Sequence, residues 1–211
     1  VEGPSCQKEL QVLRSKQQRN LLSSLLLSPG IPMLLMGDEV GRSQGGNNNS
    51  WCQNSSIGWM IWHPESCDQD LKNLVKNLIN LRKKLPEFFS PEFFLVDESK
   101  TIERNKNNFW IEWHGIKLNQ PDWGSWSHTI SYSINEGERG SAVWVGLNAY
   151  SQSMSFQLPP STSHWEKILD TSSSFKENIS GATSSNQTEI QIQSRSLVVM
   201  IANEYSQKIN L

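Results

Sequence analysis

The sequence predicts an α/β segment followed by an all-β segment, and three observations predict it. Apolar residues recur at helical spacing only in the first half of the chain. A six-residue apolar run, residues 31–36, lies between two such helical stretches. After Pro91 the hydrophobic period falls from 3.6 to 2. The break separates residues 1–95 from residues 96–211, and no internal repeat is visible.

From residue 8 to residue 28, Leu10, Leu13, Leu21, Leu22, Leu25 and Leu26 follow helical spacing. The part from 21 to 27 is apolar nearly all round, as a helix pressed on a sheet would be. Ser28-Pro29-Gly30 stops it. Residues 31–36, IPMLLM, have no polar face, which suits a strand buried on both sides. Residues 68–85 predict a second helix, with Leu71, Leu74, Val75, Leu78 and Leu81 in one stripe. Asp68 or Asp70 can cap its start, Lys83-Lys84 suit its carboxyl end, and Pro86 ends it.

Beyond Pro91, Ile130/Tyr132/Ile134, Val143/Val145/Leu147, Met154/Phe156/Leu158 and Ile190/Ile192 alternate with polar or small residues. Residues 197–202 close the series as an apolar run. Turn signals lie between them at residues 119–122, 135–137, 159–161 and 180–181. The spacing predicts an antiparallel sandwich. The Ser-rich stretch 171–188 is expected to be a long exposed loop.

Net charge is −2, from 19 basic and 21 acidic residues mixed along the chain. That balance gives no electrostatic reason to expect nucleic acid or an anionic membrane as partner. No apolar stretch approaches the roughly 18–20 residues of a membrane-spanning helix. Cys6, Cys52 and Cys67 have neither metal-type spacing nor an even disulfide count, so a reducing compartment is expected. No cofactor motif is present, and the Asn-x-Ser/Thr triplets at Asn48, Asn54, Asn178 and Asn186 are read as unmodified. Val1 is not an initiator Met, and the chain reads as a piece of a longer protein.

The segment RNLLSSLLLSPGIPMLLMGDEVGRSQGGNNNSWC, residues 19–52, resembles the end of the catalytic barrel in isoamylase-type debranching enzymes of the α-amylase clan (glycoside hydrolase family 13). Those proteins carry a helix rich in Arg, Asn and Leu, then GxPMLxxGDExGxxxxGNNNxYCxD. WHGIKLNQPDW, residues 113–123, and VGLNAYSQSMSFQLP, residues 145–159, resemble their C-terminal β domain. Trp51 in place of Tyr, Asn54 in place of Asp and the divergent WMIWHPESC at 59–67 resemble the plant isoamylase-2 type. The resemblance implies the C-terminal end of a (β/α)8 barrel, residues 1–95, followed by an antiparallel β-sandwich, residues 96–211. In that layout 31–36 is the eighth barrel strand, flanked by the seventh and eighth helices.

Asp38 and Glu39 follow a strand end, where barrel enzymes place catalytic groups. Consecutive residues of an extended segment point to opposite faces, however, so this pair cannot flank one glycosidic bond. Asp38 is read as capping the loop and Glu39 as pairing with Arg42 or a barrel neighbour. The family's catalytic carboxylates belong to strands four, five and seven, so no catalytic residue is assigned here and this polypeptide alone is expected to be inert. Gly46, Asn47, Asn48, Asn49 and Trp51 are the candidate substrate-binding residues. Gly and Asn tolerate unusual backbone angles, Asn can donate to and accept from sugar hydroxyls, and an indole face suits the C–H face of a sugar. A turn cluster that only folds the loop, and a packing role for Trp51, are equally open.

Trp110, Trp113, Trp123 and Trp126 are read as core, packing the sandwich against the barrel, rather than as an exposed starch-binding row. His63, His114, His128 and His164 are read as structural. The resemblance implies a non-catalytic, isoamylase-2-like subunit of starch metabolism that binds α-glucan (amylopectin or glycogen-like) and assembles with a catalytic isoamylase in the plastid. The alternatives are a debranching hydrolase of α-1,6 bonds whose carboxylates lie upstream, and a free-standing carbohydrate-binding module. The isolated fragment is expected to be poorly soluble, because its buried strand lacks neighbours.

Overall fold

The computed structural model describes residues 3–63, 67–85, 95–96, 102–104, 109–137, 140–161, 163–173, 184–185 and 188–209. Helix α1 (Lys8–Leu27) is followed by two single-turn 3-10 segments, Asp38–Val40 and Ser50–Cys52, and then by helix α2 (Gln69–Lys84). Ten strands follow: β1 (Leu95–Val96), β2 (Ile102–Arg104), β3 (Phe109–His114), β4 (Thr129–Glu136), β5 (Gly140–Asn148), β6 (Met154–Gln157), β7 (Trp165–Asp170), β8 (Ser184–Ser185), β9 (Glu189–Ile192) and β10 (Ser196–Ala202). Helix α3 (Asn203–Ile209) closes the chain. The Pro86 and Pro91 breaks and the Asn178 and Asn186 triplets lie outside the described residues.

The strands form an eight-stranded sheet in the order β1-β2-β3-β4-β5-β10-β7-β8 and a separate β6-β9 ribbon, every pair antiparallel. The expected sandwich is therefore unequal, one broad sheet against a two-stranded cover. The register defines its faces. Ile111 opposes Ile134, which opposes Val143, which opposes Ile201; Trp113, Tyr132, Val145 and Val199 make the next row. The other face presents Trp144, Gly146, Val198 and Met200. Trp144 meets Phe156 of β6 edge to face at 6.1 Å, and Gly146 lies under Ile192 of β9, where a Cβ would approach Ile192 Cδ1 to 2.5 Å. Gly146 thus lets the ribbon settle on the sheet.

The first face carries the helices. The α2 stripe is buried as its spacing predicts: Leu71, Leu74, Val75, Leu78 and Leu81 are each at most 5% exposed. In α1, Leu22, Leu26 and Leu27 are buried, but Leu21 is 69% exposed, so only one side of the apolar segment is pressed on a neighbour. These residues share one apolar cluster with both faces of the sheet. Each buried Leu contributes about 1.5–3 kcal/mol relative to exposure.

Two polar arrangements fix α1. Arg82 of α2 donates to the carbonyls of Leu26, Ser28 and Gly30 at 2.6–2.7 Å, and the buried Tyr132 hydroxyl donates to the Leu27 carbonyl at 3.2 Å. Together they satisfy carbonyls that a helix leaves unpaired at its carboxyl end. Nearer the middle, Asn20 donates to the Arg195 carbonyl and accepts from the buried Thr171 hydroxyl, Arg19 donates to the Thr171 carbonyl, and Lys16 donates to the Ser194 carbonyl. The Arg and Asn of the RNLL segment therefore dock α1 to the β9–β10 turn and the end of β7.

Three expectations are corrected. Residues 31–36 form no strand: Ile31 and Met33 are 84% and 88% exposed, because no partner strand lies beside them, and no barrel is present among the described residues. The Ser-rich loop contains a short strand, Ser184–Ser185, paired with Trp165 and Glu166. Trp123 and Trp126 are 65% and 70% exposed rather than core. Trp113 is half-buried, packed edge-on to Trp123 and tilted against Tyr132. His114 is structural as read: its Nδ1 accepts from the Asn119 amide, so Nε2–H donates to Ser133 Oγ.

Arg82→Ala removes three charge-assisted bonds and is expected to destabilise the fold by about 2–3 kcal/mol, measured by urea unfolding; a change below about 0.5 kcal/mol would contradict the clasp. Burial pushes the His114 pKa below its usual value, against the charge of Glu112. The unfolded chain then binds the extra proton, so stability falls as pH drops from the unfolded imidazole value, about 6.5, toward the lower folded one. His114→Asn keeps an acceptor and should show a shallower loss of stability between pH 7.5 and 5 than the parent. Parallel curves would remove His114 from the titration.

Candidate functional site

The loop that leaves residues 31–36 turns on Gly37, whose φ of 100° only glycine adopts readily. Its amide donates to Glu39 Oε2 at 2.9 Å and its carbonyl accepts from the Arg42 amide. The expected Glu39–Arg42 pairing is therefore not what forms. Arg42 Nη2 instead donates to the Gly58 carbonyl at 2.7 Å, and weakly to Ile57, closing the loop on itself. Buried Val40 accepts from the Asp68 amide, which ties the loop to the start of α2. There Asp68 caps the helix by accepting from the Leu71 amide. The Asp38–Val40 turn has no side-chain cap. Partial desolvation, and then the charge of Glu39, raise the Asp38 pKa above the usual carboxylate value, with Arg42 opposing.

Gly45 and Gly46 take positive φ, and the Asn49 amide donates to Asn47 Oδ1 at 2.8 Å, a side-chain turn. Gly46, Asn48 and Asn49 are exposed and Asn47 is half-buried. The 3-10 segment that follows presents Trp51, 94% exposed. Trp51, Trp59, Asn54, Leu35, Met36 and Arg42 line an open cleft of about 620 Å³. Trp59 Nε1 donates to Asn54 Oδ1 at 3.4 Å.

Of the five candidate binding residues, only Trp51 lines this cleft; Gly46, Asn47, Asn48 and Asn49 build the turn that leads to it. Reading the sequence alone missed Trp59 and the closing role of Arg42. Trp59 lies eight positions beyond Trp51, and the Arg42 contacts at 57 and 58, the Gly58 amide bond to the Ser55 carbonyl and the Trp59–Asn54 bond fold it back. Among the described residues, the cleft lining contains no carboxylate. Among the described residues, no three His, Cys, Asp or Glu side chains converge as a metal site, and no helix is long and apolar enough to cross a membrane. The arrangement offers stacking faces, amides and a guanidinium.

Residues 112–205 match the family "Isoamylase 1-3, C-terminal". The chain is 30% identical over 185 residues to a "Glycogen operon protein GlgX homolog" of Mycobacterium tuberculosis, covering 81% of this chain and 26% of that protein. It is 33% identical over 167 residues to a "Glycogen debranching enzyme" of Pectobacterium atrosepticum, covering 79% and 23%. It is 29% identical over 171 residues to "Isoamylase 1, chloroplastic" of Oryza sativa subsp. japonica, covering 81% and 20%. The chain thus spans about a fifth to a quarter of the length of these relatives. Its fold matches a pullulanase from Bacillus acidopullulyticus with a TM-score of 0.63 at 17% identity, over 94% of this chain and 21% of that one.

Gly37→Ala would place a Cβ 2.7 Å from Arg42 Cδ at a backbone angle that alanine resists. It is expected to cost about 1 kcal/mol or more and to speed proteolysis between residues 37 and 62, read by mass spectrometry of the fragments. Unchanged cleavage would mean that the Gly37–Arg42 contact does not order the loop.

Proposed function

We propose that this chain, whose residues 112–205 match an isoamylase C-terminal family, is the C-terminal part of an α-glucan debranching protein of the isoamylase-2 type, in which it binds glucan without cleaving it. The single observation that carries the reading is the Trp51–Trp59 cleft, with exposed indole faces, an amide at Asn54 and, among the described residues, no carboxylate. Glycoside hydrolysis needs two carboxyl groups across the bond, and Glu39 is engaged by the Gly37 amide. α1, residues 31–36 and α2 are the last elements of the (β/α)8 barrel in this proposal. The exposed apolar side chains of 31–36 support it, since a barrel would bury them.

The full protein acts in this reading as a regulatory, glucan-binding subunit beside a catalytic isoamylase, in the plastid. What supports it is the neutral Asn54 where the family's segment has an acid, together with similarity to chloroplastic isoamylases. Bacterial proteins are equally similar, so the location rests on the isoamylase-2 resemblance alone. The second reading is an active α-1,6 hydrolase with its carboxylates elsewhere in the protein, and the debranching names of the relatives favour it.

The deciding experiment incubates full-length protein, free of partner, with amylopectin and measures linear chains released. Binding without release is the expected result; release at rates comparable to a working isoamylase would establish the second reading. In the same protein Trp51→Ala is expected to weaken maltotriose binding about tenfold, roughly 1.4 kcal/mol. An unchanged affinity would take Trp51 out of the site.

A further inference from the structure

Between β3 and β4 the chain makes a compact loop, residues 115–128, that the cleft does not use. We propose that Trp123 and Trp126 on this loop form a second α-glucan-binding surface; this rests on the reading that the protein binds α-glucan. Both indoles are held from beneath and open above. The edge of Trp123 meets Trp113 at 5.6 Å and 69°, and Trp113 is anchored against Tyr132 of the sheet. The Trp126 ring lies directly on Gly124, where an added Cβ would stand 2.3 Å from Trp126 Cε2. Even so, the two side chains are 65% and 70% exposed.

The loop beneath them is stitched locally. Gly124 N donates to Asp122 Oδ1 and Ser127 N to the Gly124 carbonyl, both at 2.9 Å, and His128 Nδ1 lies 2.5 Å from the Trp126 carbonyl. Gly115 packs so close to Gln120 that a Cβ would come within 2.4 Å of its carbonyl oxygen. Rings held this way lose little freedom on binding, so more of the contact energy appears as affinity.

The surroundings select the ligand. The loop, residues 115–128, carries one cation, Lys117, and one acid, Asp122, which already accepts from Gly124. A polyanion or an anionic membrane would need a cluster of cations here. The exposed rim includes Asn119, Gln120, Ser125 and His128, groups that exchange hydrogen bonds with hydroxyls. Two flat apolar faces separated by Gly124-Ser125 and rimmed by neutral polar groups match a chain of sugar rings, each with a C–H face and a hydroxyl edge. A protein partner would instead favour a continuous apolar core within the patch.

The test uses the full-length protein and two probes, amylopectin by affinity electrophoresis and maltotriose by titration. The Trp123→Ala/Trp126→Ala double variant is expected to weaken amylopectin binding tenfold or more and to leave maltotriose binding unchanged. Trp51→Ala should weaken maltotriose binding. A double variant that binds amylopectin like the parent, while Trp51→Ala still weakens maltotriose binding, overturns this surface and leaves the cleft standing. A parent protein that binds neither probe overturns the functional reading and this inference together. Should the double variant fold poorly, oxidation of the unsubstituted protein with N-bromosuccinimide, mapped by mass spectrometry, gives the answer. Trp123 and Trp126 should react, and maltoheptaose should protect them; inert rings, or rings that maltoheptaose leaves unprotected, sink the proposal.

Discussion

The structure depends on how the carboxyl end of α1 is satisfied. The Leu26 and Leu27 carbonyls belong to the buried last turn of the helix, and those of Ser28 and Gly30 follow at its more exposed exit. Arg82 reaches three of them from α2 and Tyr132 reaches the fourth from β4, so one short stretch joins both helices to the sheet. An unpaired buried carbonyl costs about as much as the net gain from several ordinary hydrogen bonds, which is why two separate elements converge here. Burial raises the Tyr132 pKa, which keeps its hydroxyl proton available for donation.

That junction also sets where the cleft sits. The chain leaves the Arg82 clasp at Gly30, runs through residues 31–36 and turns at Gly37 into the loop that Arg42 closes. The loop touches the folded body at Val40 and Asp68. Its indoles are consequently placed by two anchor points and an internal guanidinium, while most of the loop surface remains open to solvent. A cleft assembled this way needs no sheet beneath it, only a fixed entry and a fixed exit.

The polar side chains that join α1 to the β region gave little warning of their role. Asn20 and Arg19 stand out in the sequence as part of a motif, yet their partners lie about 150 or more positions away at Thr171 and Arg195. Thr171 begins the stretch that composition marks as exposed loop, but it is fully buried. Trp123 and Trp126 failed in the opposite sense. Their aromatic character suggests core, whereas Gly124 and the turn residues around them hold the rings outward.

The sequence by itself determined what depends on local periodicity: both long helices, the α2 stripe and the alternating strands. These follow from contacts within a few residues, or from which face of an element is apolar. Tertiary structure alone decided which strands are neighbours, which tryptophans are covered and which donors reach the end of α1. It also left residues 31–36 without strand pairing. That segment has a strand's composition, but a strand exists only when another backbone supplies its hydrogen bonds, and among the described residues none is alongside.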